Sequence, residues 1–257
     1  EAAHTHSWTE YAGWAAAGLF IVIGWLFTNA FSLMTNVGAW RGIRSATEHH
    51  GAVLGLGLNV ADPTLWPRWL MMFGLAITSS AVWFLADAAV FSRAESPAYR
   101  RWAARFAVVV HTAGLLWFAA AGSWYIFGTL PADARARLFS GAGAILTVLT
   151  ALGPGAVWIL LLLAARSTRQ MAGGDDRPAR GLGIAVFAAQ FLMLALQAIS
   201  RQRVQNWELL PWLDVAAEPV RTQSGPMAIF LISLVGAIGL SIWMIRATLR
   251  GHREMAG

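Results

Sequence analysis

The sequence predicts an all-α fold, a polytopic membrane helix bundle of about six transmembrane helices, and three observations carry that expectation. Hydrophobic residues make up 57% of the 257-residue chain and charged residues only 12%, about half the charged share of a soluble domain. Six apolar runs, at about 12–35, 67–91, 102–129, 139–166, 181–200 and 225–248, each reach the length needed to cross a ~30 Å hydrocarbon core as a helix. The joints between them hold Pro, Gly, Asp and Arg, as loops do.

Composition also removes whole classes of chemistry. The chain has no cysteine, so disulfides and Cys-ligated metal or iron–sulfur centres are excluded. All 19 basic residues are Arg, which together with abundant Ala and Gly fits a GC-rich bacterial coding bias and so a bacterial inner (cytoplasmic) membrane. The net charge of +6 is spread over the loops, favouring contact with anionic lipid headgroups of the bilayer and arguing against nucleic acid as a partner. The opening residues EAAHTHSWTE lack the basic segment of a cleavable secretory signal. A first residue other than Met suggests processing, or helices further upstream.

In chain order, the first apolar run surfaces at Asn29 and Ser32. Residues 36–66 follow, with Arg41, Arg44, His49, His50 and several glycines. Such a segment cannot lie in hydrocarbon unless folded on itself, and it is placed on one membrane face as a cap. Pro67 sits at a helix-opening position, where the missing N–H costs nothing. Residues 92–101, 131–137 and 166–180 read as loops. Pro154, between Gly153 and Gly155, predicts a packing kink in the fourth span, and Gly141, Gly143, Gly236 and Gly239 predict close helix approach. Residues 201–224 join 36–66 in an outer-face cap over a single transmembrane domain spanning 1–257.

Orientation follows the arginines. Loop 2 with its helix start (Arg93, Arg100, Arg101, Arg105), loop 4 (Arg166, Arg169, Arg177, Arg180) and the tail (Arg246, Arg250, Arg253) carry eleven, against eight elsewhere. The bias puts both termini in the cytoplasm and loops 1, 3 and 5 outside. Trp66, Trp69, Trp207 and Trp212 then form an aromatic belt at one interface.

Ionisable groups inside a span are functional suspects, and Asp87 and His111 are the two well within the apolar runs. Entering from the same side on consecutive antiparallel helices, they are expected about 7 Å apart in depth. They suggest a proton or quinone-headgroup site, or His111 as an axial haem ligand. The bland alternative is structural, with Asp87 meeting interfacial arginines and His111 bonded to a backbone carbonyl. His49 and His50 are adjacent and point apart on most backbones, so no shared metal is expected; His4 and His6 are weaker candidates still. Gln190 and Gln197 share a helix face and read as polar glue between helices. No nucleotide-binding Gly loop, nucleophile elbow, zinc motif or catalytic carboxylate pair is present.

Residues 28–90 resemble cytochrome bd oxidase subunit I and shorter bd-like membrane proteins. The matching features are a helix ending in Asn29, Met34 and Gly38, then an Asp62-Pro63 step into Arg68-Trp69-Leu70. The family's haem-ligating His is replaced by Met71. The resemblance implies a membrane subunit of a quinol-linked or cytochrome-linked redox complex, with haem b or quinone as cofactor. Since thioether sulfur can ligate haem iron opposite a His, Met71 or Met72 would serve, with His49 or His50 folding down from loop 1. The oxidase's other haem ligands and acidic proton residues are not recognisable, so oxidase activity itself is not implied.

Three functions of different class follow. The first is an integral membrane subunit of a respiratory or other electron-transfer complex, at most a non-catalytic or quinol-interacting part of an oxidoreductase. It would be partnered by other membrane or periplasmic subunits such as a c-type cytochrome. The second is a purely structural or assembly subunit without cofactor. The third, a small-solute transporter, predicts internal repeats and matching broken helices, and only one span is visibly interrupted.

Overall fold

The computed structural model describes residues 2–53, 55, 57–91, 96–170, 177–219 and 223–255; the side chains of 2–10, 53, 177–178, 245 and 247–255 lie outside the description. Arg93 and the side chains of His4, His6, Arg177, Arg250 and Arg253, weighed above, therefore fall outside it. Among the described residues there are eight α-helices: α1 (Ala2–Thr35), α2 (Trp40–Thr47), α3 (Leu65–Ala86), α4 (Pro97–Ser123), α5 (Ala132–Leu138), α6 (Gly141–Arg169), α7 (Arg177–Leu209) and α8 (Ser224–Met255). Six are long and apolar enough to span a bilayer. The protein is an all-α, multi-pass membrane helix bundle.

Contacts divide the chain into two units, Glu1–Val215 and Ala216–Gly257. The second consists of α8 and the segment leading to it. In the first, α3 packs most extensively on α4, α6 on α7 and α4 on α6, while α1 leans on α3 and α7. Glycines set the closest approaches: a Cβ on Gly74 would fall 2.8 Å from the Phe118 backbone nitrogen, and one on Gly114 2.8 Å from Ile77 Cγ2. Between α6 and α7 the corresponding clash is Gly153 against Met193 Sδ, at 2.2 Å. Of the two glycines in the first unit expected to bring helices together, Gly141 meets nothing within 4 Å, and Gly143 packs against α5, its Cβ position 2.7 Å from Arg137 O. Gly141 instead supplies a left-handed φ of 51° at the start of α6.

Several element ends differ from expectation for one physical reason: a hydropathy window stops where charge begins, whereas a helix does not. α4 starts at Pro97, with Pro at the first turn and the Ser96 hydroxyl accepting the Tyr99 N–H at 3.3 Å. Thus half of the expected loop 92–101 is helix. The expected loop 131–137 forms α5, and α7 runs nine residues past 200 to Leu209. Arg, Gln and Glu are good helix formers, so the helices continue through them. Wide, π-type turns extend α3 (Asp87–Phe91) and α4 (Trp124–Thr129).

Pro154 lies inside an uninterrupted α6. It cannot donate to the carbonyl four residues earlier, which is Thr150. That carbonyl instead accepts from Gln197 Nε2 of α7 at 2.7 Å. Gln190, two turns away, donates to Ser79 Oγ of α3 at 2.9 Å. Both glutamines are interhelical ties, as the sequence suggested.

The end of α1 buries polar groups and leaves its apolar flank outward. Thr28, Asn29, Ser32 and Thr35 are buried while Leu19, Phe20 and Phe27 are exposed, the pattern of a helix whose outer face meets lipid. Asn29 binds loop 1 as a strand would, donating to Gly57 O and accepting from Asn59 N, both at 2.8 Å. Asp62 gathers Ser32 Oγ, Asn59 Nδ2, and the Thr64 N–H and hydroxyl. Loop 1 is thereby locked onto α1 with its buried polar groups satisfied. It also contains a two-residue hairpin, Glu48–His49 with Ala52–Val53, turned by His50 (φ 52°) and Gly51 (φ 80°).

Candidate functional site

A cavity of about 480 Å³ opens inside the first unit, at the end of the bundle where loops 1, 3 and 5 lie. Its volume is within the range of small-molecule sites. α7 lines it from Leu194 to Gln205 and α3 from Arg68 to Leu75, so it extends ~16 Å along the helix axes at ~1.5 Å per residue. One end is polar, with Arg68, Arg201, Gln205 and Ser200; the deep end is apolar, with Leu75, Phe118 and Leu194. The wide turn after α4 brings three consecutive residues, Tyr125, Ile126 and Phe127, to its wall.

The charged groups at the polar end are held. Arg68 pairs with Glu208 of α7, and its guanidinium carbon lies 5.2 Å from the Tyr125 ring centroid. Arg201 sits 4.4 Å above the Phe31 ring. Outside the cavity lining, a chain of aromatic rings, Trp25, Trp66, Trp69, Phe73 and Trp117, joins α1, α3 and α4 with successive centroids 6.0–6.2 Å apart. Loop 5 meets loop 1, Trp212 lying 3.7 Å from where a Cβ on Gly38 would be.

The residues expected from sequence are not brought together. Met71 and Met72 both line the cavity, with the Thr28 hydroxyl 3.7 Å from Met72 Sδ. His49 and His50 are exposed in the loop 1 hairpin and do not line it. A folded-down histidine opposite Met71 is thus not what is found, because the left-handed turn at His50–Gly51 and the Asn29–Asn59 lock hold loop 1 in its own fold.

Asp87 and His111 are also separate. Asp87 accepts the Tyr99 hydroxyl at 2.8 Å. His111 is fully buried on the face of α4 shared with Ala104, Ala107, Gly114 and Phe118. The register set by Gly74 on Phe118 and Gly114 on Ile77 and Thr78 puts His111 level with Ala81, about six residues or ~9 Å from the level of Asp87. Neither ring nitrogen of His111 has a hydrogen-bond partner among the described residues, so it meets neither Asp87 nor the backbone carbonyl expected for a structural role. It does not line the cavity.

The site residues that sequence reasoning passed over are Tyr125, Arg201, Gln205 and, behind Arg68, Glu208, while Arg68 was noted only as part of a helix start and not as a site residue. Arg201, Gln205 and Glu208 fell in what looked like loop 5; four-residue spacing of Gln197, Arg201 and Gln205 was the signal that α7 continues. An open groove of about 770 Å³ between α1 and loop 1, lined by Leu26, Leu33, Met34, Trp40 and Ile43, is apolar and outward, as expected of a surface wetted by lipid. Comparison with protein-family models, with curated proteins and with solved structures returned no match.

Proposed function

We propose that this protein is the integral membrane subunit of a bacterial electron-transfer complex, and that its cavity takes a lipid-soluble quinone. The observation that carries the proposal is the two-ended cavity: hydrogen-bonding and cationic groups at the interfacial mouth, aliphatic and aromatic walls toward mid-membrane. A ring with carbonyl oxygens on an isoprenoid tail has the same polarity gradient. Haem suits the donor set less well, since the thioethers of Met71 and Met72 come without an imidazole on the cavity wall. The chain's role is to hold and orient the quinone, with electrons exchanged through a partner subunit docked on the face formed by loops 1 and 5. The arginine distribution favours that face as the periplasmic one, with a c-type cytochrome as a partner of fitting chemistry and both termini cytoplasmic.

The test is direct. Protein purified in mild detergent is extracted for quinone, and a short-tailed decyl-quinone is titrated into protein in phosphatidylcholine nanodiscs while tryptophan fluorescence is followed. Co-purified quinone with saturable quenching is expected. Neither, together with a featureless reduced-minus-oxidised spectrum, would leave a structural subunit as the better assignment.

A further inference from the structure

The polar mouth contains two donor-bearing side chains that make no hydrogen bond or ion pair among the described residues. Gln205 is 7% exposed, lines the cavity and has no hydrogen-bond partner among the described residues. Its amide atoms are not sealed off among the buried unpaired groups but open onto the cavity, where a ligand or water can meet them. Arg201, one helical turn away and on the same wall, is exposed at the mouth, with the Phe31 ring beneath it and no carboxylate partner among the described residues, so its guanidinium is free to meet a ligand. Their neighbours differ: Gln197 is committed to Thr150 O and Arg68 to Glu208.

We propose that Arg201 and Gln205 form a head-group subsite, and that it selects an acceptor oxygen, carbonyl or carboxylate, at the head of an apolar tail. The chemistry follows from the donor count. A guanidinium only donates, and the amide NH2 donates twice, so the pair offers N–H groups from successive turns of α7 on one cavity wall and no anion. A hydroxyl-bearing head can also accept from the guanidinium, but a phenolic oxygen is a weaker acceptor than a quinone carbonyl, and its own hydrogen finds a single acceptor in the pair, Gln205 Oε1. The oxidised, carbonyl form of a quinone is therefore bound more tightly than its quinol. A carboxylate-headed lipid would satisfy the same donors, with charge added.

The inference rests on the cavity being a ligand site but separates from the quinone assignment by experiment. Decyl-quinone, its quinol and decanoate are each titrated into full-length protein in nanodiscs, for wild type, Arg201→Leu, Arg201→Lys, Gln205→Leu and Arg203→Leu. Folding of each variant is checked by circular dichroism and thermal melting. Wild type is expected to bind quinone at least 3-fold more tightly than quinol, on the order of half the effect of one hydrogen bond. Gln205→Leu should weaken binding about 5–10-fold and Arg201→Leu about 10-fold, with Arg201→Lys partly restoring it. Arg203, which faces Trp207 and Ala142 O and does not line the cavity, serves as the control and should not matter. Binding of decanoate but not quinone, lost in Arg201→Leu, would uphold the subsite and overturn the quinone assignment. Quinone binding unchanged in folded Arg201→Leu and Gln205→Leu proteins, or equal affinity for quinol, would overturn the subsite and leave the quinone assignment standing. Absence of binding by all three probes would overturn both.

Discussion

Replacing Gln197 tests how this bundle tolerates a proline in mid-span. Pro154 releases the Thr150 carbonyl, and Gln197 Nε2 takes it up at 2.7 Å. Gln197→Leu keeps the packing volume roughly constant but strands that carbonyl. An unsatisfied buried carbonyl costs ~1–3 kcal/mol, whereas interhelical hydrogen bonds in membranes average ~0.6 kcal/mol with a maximum near 1.7. Because Thr150 and Gln197 both border the cavity, water can partly compensate, and ~1 kcal/mol is the expected loss. In a Pro154→Ala background the new N–H can bond to the Thr150 carbonyl directly, so Gln197→Leu should cost ~0.3 kcal/mol or less there. The four proteins are compared by equilibrium unfolding in mixed micelles, followed by tryptophan fluorescence. A coupling of ~0.7 kcal/mol or more is expected. Equal costs of Gln197→Leu in both backgrounds would refute the compensation.

Other consequences can be measured in the same assay. His111→Leu removes an imidazole with no partner and should leave stability unchanged or raised by up to ~1 kcal/mol; a loss larger than that would show the ring to be bonded. Asp62→Ala breaks its bonds to Ser32, Asn59 and Thr64 and should cost ~2–4 kcal/mol, together with faster proteolysis in loop 1. Glu208→Ala, which strands Arg68, should cost ~2–3 kcal/mol, and Arg68→Met with Glu208→Leu should recover most of it. Reporter fusions after Arg101 and after Trp212 should report cytoplasm and periplasm respectively; Trp212 on the cytoplasmic side would reverse the proposed orientation.

The spans were legible because a bilayer demands ~20 apolar residues per crossing, and nothing else in the chain meets that demand. Their ends were not. At Pro97 and between 201 and 209 the chain carries Arg, Gln and Glu that suit the headgroup zone and the helix equally, and hydropathy alone discards them. That truncation hid half of the cavity mouth, since Arg201 and Gln205 lie in the discarded turns. Met71 and Met72 could be singled out beforehand, but their neighbours could not. The pairing of Arg68 with Glu208 spans 140 residues, and one sequence contains no signal for it. Asp87 and His111 were matched by depth alone, and the α3–α4 seam at Gly74 and Gly114 does leave them ~9 Å apart along the axis; what depth could not foretell is that Asp87 takes the Tyr99 hydroxyl while both His111 nitrogens stay without a partner among the described residues.

That 140-residue separation between Arg68 and Glu208 also sets a schedule for biogenesis. At ~5–20 residues per second of synthesis, α3 leaves the ribosome ~7–28 s before the carboxylate that pairs its arginine exists. During that interval Arg68 can stay hydrated by extending its long side chain to the interface, so α3 can insert, but it cannot settle on α7. The cavity, walled by residues from Thr28 to Gln205, closes only when α7 has been delivered. A chain interrupted before Glu208 would present the membrane with an unpaired arginine and an open cleft, features by which quality-control proteases can tell an unfinished subunit from a finished one.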